Sequence, residues 1–232
     1  MVPGKRRVAT CLLVGWVFLA GPAMAEHTPH FDATCPTGRA TVVLDPGHGG
    51  EDPGAVRVDP EFYEREMVLD IAVQVREIVE RESGITVALT REDNDTGPGN
   101  SERGEIANAC SARLYVSIHL NTWEDPALNR AQAFWGEKEK DLAASLVMSE
   151  SLGSLGIPVA PVDRFDNGGL LRARMPAVLV EAAFLTNSDE AEALAAGTRQ
   201  PEMARAIADG ILGWLSLTGV TEQAGVRGGE GA

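Results

Sequence analysis

Short β-branched runs alternate along this chain with longer segments of helical period, and that alternation constrains the fold more than any other feature. Ala40 to Leu44, Ile85 to Thr90, Leu114 to Ile118, Ala131 to Trp135 and Ala177 to Val180 read as strands. Between Glu64 and Glu82 the apolar residues Met67, Val68, Ile71, Ala72, Val75, Ile78 and Val79 recur with the spacing of one helix face. Further helices are expected from Ser101 (as N-cap) to Ala109, from about Glu137 to Leu152, from a cap at Asn187 or Ser188, and from Met203 to Leu217. The pattern predicts an α/β fold: one domain with a central, mostly parallel twisted sheet and helices on both faces. No internal repeat or linker divides it.

The chain begins with a segment that stands apart from this pattern. Lys5, Arg6 and Arg7 precede an apolar run from Val8 to Ala20, and Ala23-Met24-Ala25 supplies small residues at the −3 and −1 positions of a cleavage site. The run is shorter than the ~20 residues a spanning helix requires. Residues 1–25 therefore read as a signal peptide, with no membrane anchor after cleavage, 26–39 as an N-terminal extension, 40–218 as the folded domain and the Gly-rich 219–232 as a flexible tail. Export to the periplasm is expected, with full secretion as the alternative. Cleavage removes three bases and no acid, which takes the net charge from −14 to −17. So acidic a chain does not suit a nucleic-acid binder, which needs a basic face. Cys35 and Cys110 are the two cysteines left in an oxidising compartment, each just before a strand; if those strands are parallel neighbours, the thiols meet at one end of the sheet as a disulfide.

Residues suited to catalysis fall at predicted strand ends: His48 after the first strand, His119 after the third and Glu181 after Val178-Leu179-Val180. Open α/β sheets gather their sites there. Glu64 opens the first helix and is placed to turn back to the same rim. Two imidazoles and a carboxylate form an open ligand set for Zn²⁺, leaving one position for water. A further carboxylate, made less acidic by an apolar surround, then serves as acid and base.

The local strings resemble those of a known family. Val42-Val43-Leu44-Asp45-Pro46-Gly47-His48-Gly49-Gly50 with Asp52-Pro53-Gly54-Ala55, Glu64-Arg65-Glu66, Thr90-Arg91, Val116-Ser117-Ile118-His119-Leu120-Asn121 and Met175 to Asn187 resemble, in order, the zinc-dependent N-acetylmuramoyl-L-alanine amidases. The resemblance runs from about Ala40 to Leu217 and implies a zinc amidase catalytic domain over 40–218. It implies one Zn²⁺ held by His48, Glu64 and His119, with Glu181 as catalytic acid/base. The implied reaction is hydrolysis of the amide between N-acetylmuramic acid and L-alanine of the peptidoglycan stem peptide. Glu61 and Glu66 are rival ligands, set aside because Glu64-Arg65-Glu66 fits the family's stretch in register. Two apolar departures, Leu120 after the second histidine and Ala182-Ala183 before Phe184, are expected to touch substrate fit. Only 12 positions separate His119 from Ala131, too few for the inhibitory helix some members insert there, so a free enzyme that does not block itself is expected.

A zinc peptidase cutting within the stem, and a non-catalytic wall-binding protein, are the competing readings; the second should lack one of the four site residues. Peptidoglycan is the expected partner, with activator or localisation proteins beside it. Other features are weaker. Asp93-Asn94-Asp95-Thr96-Gly97 opens like a calcium loop but has Gly104 where a bidentate acid belongs, so it reads as a polar loop. Asp45 is a candidate to orient a zinc histidine, with simple termination of the strand as the equal alternative. Arg172 is a candidate contact for an acidic stem peptide, and His27 and His30 lie in the extension. No GxxxxGK[ST], CxxC or HExxH string is present.

Overall fold

The computed structural model describes residues 33–58 and 60–220. The signal peptide, residues 26–32 of the extension with His27 and His30, and residues 221–232 of the tail lie outside the described residues. Among the described residues no helix is long and apolar enough to cross a membrane.

In chain order the elements are β1 (Val42–Pro46), β2 (Val56–Val58), β3 (Glu61–Tyr63), α1 (Glu64–Ser83), β4 (Val87–Leu89), α2 (Asn100–Ala109), β5 (Leu114–Asn121), β6 (Gln132–Trp135), α3 (Glu139–Leu152), β7 (Asp163–Arg164), α4 (Gly168–Arg172), β8 (Ala177–Phe184), α5 (Ser188–Ala195) and α6 (Arg199–Leu217). Six strands form one sheet in the order β4-β1-β5-β8-β6-β7. All neighbours are parallel except β6, which runs antiparallel to β8. β2 and β3 make a separate antiparallel hairpin. The sheet is mostly parallel with helices on both faces, as the alternation predicts.

The two faces carry unequal layers. Alternate residues of the central strands, such as Leu44, Val116, Ile118, Val178 and Val180, pack into a large core with α1, α3, α5 and α6. The opposite residues, among them Val43, Tyr115, Ala177 and Leu179, meet a smaller cluster with Ala107 of α2 and Leu170 of α4. Residues buried on both faces explain why these strands read as continuous apolar runs. Asn100 of α2 and Asn167, which caps α4, line the cleft on this side. α1 stops at Gly84, whose left-handed backbone (φ 73°) lets its N–H bond to Glu80 O.

Several sequence expectations shift. β5 and β8 continue to Asn121 and Phe184, so His119 and Glu181 lie inside strands, near their carboxyl ends, instead of just after them. A charged residue reads as a strand terminator, but at a cleft wall the pleat simply turns it out of the core. Ser101 is not the cap of α2: the helix starts at Asn100, and Glu102 reaches back to accept from the Gly99 N–H at 2.8 Å. Asn187 caps α5, its side chain accepting from the Glu190 N–H. α6 begins at Arg199, before Met203. Ala182 and Ala183 are fully buried in the larger core, and Leu120, 3% exposed, belongs to the same core and also lines the cleft. The Ala182-Ala183 departure is absorbed by packing, and the Leu120 departure borders the cleft.

Cys35 and Cys110 are disulfide-bonded, with Cα atoms 4.7 Å apart. Cys110 closes α2, and its carbonyl accepts from Ala40 N just before β1, so the bridge sits at the starting ends of parallel neighbours β1 and β5. The closed loop is long, and the chain-entropy model allows up to about 4 kcal/mol for it. At roughly 2–4 °C per kcal/mol for a domain of this size, Cys110→Ser is expected to lower Tm by about 5–15 °C. Activity at 25 °C should stay near wild type, because the bridge lies at the end of the sheet opposite His48. Paired melting and activity assays check both halves.

Candidate metal centre

β1 ends in Pro46 and the chain turns at once through Gly47-His48-Gly49-Gly50. His48 takes a left-handed backbone (φ 61°), uncommon for a residue with a side chain. Gly47 is required here, since a Cβ on it would lie 2.2 Å from a carbon of the His119 ring. Gly54, also left-handed, brings the loop back: its Cβ would strike both His48 and Glu64. The β2–β3 hairpin then delivers the chain to α1, whose first residue is Glu64.

Three donor atoms from three elements converge. His48 Nε2 lies 3.0 Å from Glu64 Oε1, His119 Nδ1 lies 3.1 Å from the same oxygen, and the two ring nitrogens are 3.1 Å apart. A tetrahedral zinc site with bonds of about 2.0–2.1 Å spaces its donors about 3.3–3.4 Å apart. The chemistry of the set points the same way. Asp52 Oδ2 is 2.8 Å from His48 Nδ1 and, as a carboxylate, must accept its proton. In the neutral ring that leaves His48 Nε2 with a bare lone pair facing Glu64 Oε1, an arrangement that a proton or a metal cation resolves. His48, Glu64 and His119 can hold a metal ion, and among the described residues they are the group that could.

Electrostatics agree with this geometry. Burial pushes the Glu64 carboxyl up, but its bonds to His119 and His48 outweigh that and hold it well below the usual carboxylate range. Its Oε1 also accepts from Leu120 N and its Oε2 from Ala55 N. Burial pulls His48 down, yet Glu64 and Asp52 together raise it above its ordinary value.

Glu181 stands one strand away from His119 and in register with it. Its Oε2 is cut off from solvent and has no hydrogen-bond partner. Burial, and then the negative charge of Glu64, push its carboxyl well above the usual range. Both carboxylates line a cleft of about 420 Å³ with His48, His119, Asn121, Asn167 and Phe165. A buried carboxyl that resists ionisation beside a cation-binding triangle is equipped to hold and release a proton.

The other sequence candidates fall elsewhere. Glu61 is exposed on β3 and Glu66 is half-buried on α1; neither joins the triangle. Asp45 touches no histidine. It is buried beneath the site, accepting from Thr90, Tyr115, Ser117 and Arg103. Burial opposes its ionisation, but Arg103 and the three hydroxyls outweigh this and bring it down to about 2. Arg172 is exposed on α4, outside the cleft lining. Asp93 spends its Oδ1 on Asp95 N, Thr96 N and Thr96 Oγ1 of its own polar loop. Asp52 was not singled out by sequence reasoning, although a carboxylate four residues from a ligand histidine is a recognisable orienting partner.

Comparison with known proteins follows the same residues. The family described as N-acetylmuramoyl-L-alanine amidase matches residues 42–213. The germination-specific N-acetylmuramoyl-L-alanine amidase of Bacillus subtilis (strain 168) is 31% identical over 194 residues, covering 77% of this chain and 81% of that protein. The catalytic domain of CwlV, the N-acetylmuramoyl-L-alanine amidase from Bacillus (Paenibacillus) polymyxa var. colistinus, superposes with a TM-score of 0.71 at 31% identity, over 75% of this chain and 97% of that one. The CwlD amidase from Clostridioides difficile, solved in complex with the GerS lipoprotein, gives 0.70 at 32% identity over 77% and 100%. The match spans the strands, the hairpin and the helix start that bring His48, Glu64 and His119 together, and the chain belongs to the N-acetylmuramoyl-L-alanine amidase family.

Proposed function

We propose that this protein hydrolyses the amide joining the lactyl group of N-acetylmuramic acid to L-alanine of the peptidoglycan stem peptide. The observation that carries the reading is the triangle of His48 Nε2, Glu64 Oε1 and His119 Nδ1 one strand away from the unpartnered carboxyl of Glu181. The ion we assign to the triangle is a single Zn²⁺, on donor type and spacing. Zinc there supplies a Lewis acid that polarises the scissile carbonyl and brings the pKa of water down to about 7.

The side chains do the rest. Asp52 keeps the proton on His48 Nδ1, so Nε2 stays a donor of its lone pair. Glu64 brings the negative charge and is itself held rigid by the N–H groups of Ala55 and Leu120. Glu181 takes a proton from the attacking water and passes it to the departing L-alanine nitrogen. Its raised pKa suits both steps, since a very acidic carboxyl would accept the proton poorly.

We infer export to the periplasm, on the signal-peptide pattern of residues 1–25. The acidic chain has no electrostatic attraction to an anionic wall, so positioning falls to the cleft or to partner proteins. Residues 122–131, which join β5 to β6, contain no helix, and the cleft is open. The purified protein should therefore digest peptidoglycan unaided; activity that rises substantially only when a partner is added would reject this.

The direct test is mass spectrometry of muropeptides together with elemental analysis. One zinc per chain and free stem peptides beginning with an L-alanine amine support the reading. Cuts inside the stem would move it to a peptidase, and intact muropeptides without zinc to a wall-binding protein.

A further inference from the structure

Three consecutive carbonyls, those of Pro46, Gly47 and His48, are all bound by two buried guanidiniums. Arg91 Nε donates to Pro46 O at 2.9 Å and its Nη2 to Gly47 O at 2.8 Å. Arg103 Nη1 donates to Pro46 O at 3.0 Å and its Nη2 to His48 O at 2.7 Å. The same Nη2 of Arg91 also donates to Arg65 O at 2.7 Å, one residue beyond Glu64. Nη1 of Arg91 completes the set on Asp93 O and Asn94 Oδ1, so all five of its donors are used. Both side chains are almost fully buried.

We propose that Arg91, seconded by Arg103, is a positioning residue of the metal centre: it locks the His48 loop in its left-handed turn and ties that loop to the start of α1. One nitrogen bridges the backbone next to His48 and the backbone next to Glu64. The distance between two of the three metal-binding side chains is thus set by a group that touches neither. Left-handed backbone at a residue other than glycine is costly, and it persists where surrounding bonds over-determine it. Four guanidinium bonds onto three carbonyls supply that over-determination. Only arginine can do this, because its planar fork carries five donors in fixed directions, whereas lysine offers a single ammonium centre. This inference rests on the proposed metal reading for its role, though the clamp itself is independent of it.

Arg91→Lys is the test, with Arg199→Lys as its control. Arg199 is a buried arginine too, bonded to Glu190 and to Leu155 O, but on the α5–α6 side with no link to the triangle. Both variants should lower the Tm of chelator-treated protein. Only Arg91→Lys should weaken zinc binding, by about 10–100-fold in chelator competition, the range seen when groups supporting a metal ligand are altered. Zinc affinity within twofold of wild type in Arg91→Lys would overturn the proposal. A second readout needs no metal: hydrogen exchange at the Gly49 and Gly50 amides, which bond to Asp52 O and Asn94 O. Their exchange should accelerate in Arg91→Lys and not in Arg199→Lys. Unchanged exchange overturns the clamp, even if the wild type proved to bind no zinc and the metal reading alone had failed.

Discussion

Glu181→Gln is expected to reduce kcat by about 10²–10⁴-fold, the range typical for loss of a general acid/base, with one zinc still bound per chain. The amide keeps the size and shape of the carboxyl but neither takes nor gives a proton. Glu181 is not one of the three donors, so the metal should stay, and KM should move by only a few-fold. Steady-state kinetics on purified muropeptides, run beside elemental analysis, separate the two effects. A variant that kept near-wild-type kcat would remove Glu181 from the chemistry.

The same substitution carries a stability prediction whose sign follows from the raised pKa. In the unfolded chain the carboxyl ionises near its ordinary value of about 4.3. In the folded chain burial, reinforced by Glu64, delays ionisation to higher pH. Its contribution to stability is therefore full below about pH 4 and is lost as pH rises through the folded value. Chelator-treated wild type and Glu181→Gln should melt together near pH 4, and the variant should melt higher at pH 7. The fold holds this carboxyl at a cost in stability, and the proposed reaction uses the raised proton affinity that results. Melts in which the two proteins stayed parallel across pH would contradict that.

Much of this architecture was legible because parallel strands buried on both faces write themselves as apolar runs. β1, β4, β5 and β8 are such strands, and α1 shows its face by periodicity. The residues that fit a chemical pattern were legible too: His48, Glu64 and His119 do come together. What the sequence hid is of two kinds. β7 is two exposed residues and α4 is a five-residue helix opening on Gly168-Gly169, too short for any period to register. The β2–β3 hairpin did leave a signal, Asp59-Pro60 between Val56-Arg57-Val58 and Phe62-Tyr63, which reads as a turn between two short runs of strand-forming residues. The second kind is buried polar order. Asp45 looked like a partner for a histidine because it stands three residues before one. The strand pleat instead turns it under the sheet beside Ser117, its registered neighbour, where Arg103 of α2 donates to it and also to the His48 carbonyl. Such bonds join residues 45 to 72 positions apart, and nothing in local spacing encodes them.

Glu64→Gln should abolish zinc binding at working concentrations, a loss beyond the 10–100-fold seen when supporting groups are removed, and amidase activity with it. The reason lies in the donors around the carboxylate. Oε1 faces His48 Nε2, His119 Nδ1 and the Leu120 N–H, while Oε2 faces the Ala55 N–H. If the glutamine NH₂ takes the place of Oε1, it offers protons where a metal needs a lone pair and collides with the Leu120 donor. If it takes the place of Oε2, it meets the Ala55 N–H, donor against donor. Either way the negative charge that offsets a dication is gone. Zinc at a thousandfold excess over its Kd would stabilise wild type by about 4 kcal/mol, a Tm rise of roughly 8–16 °C for a domain of this size. That rise should vanish in Glu64→Gln. It should persist in Glu61→Gln, which alters the rival carboxylate exposed on β3, a few residues away in sequence and outside the triangle. Equal zinc-induced rises in both variants would unseat Glu64 as a ligand. A rise lost in Glu61→Gln alone would transfer that role to its neighbour.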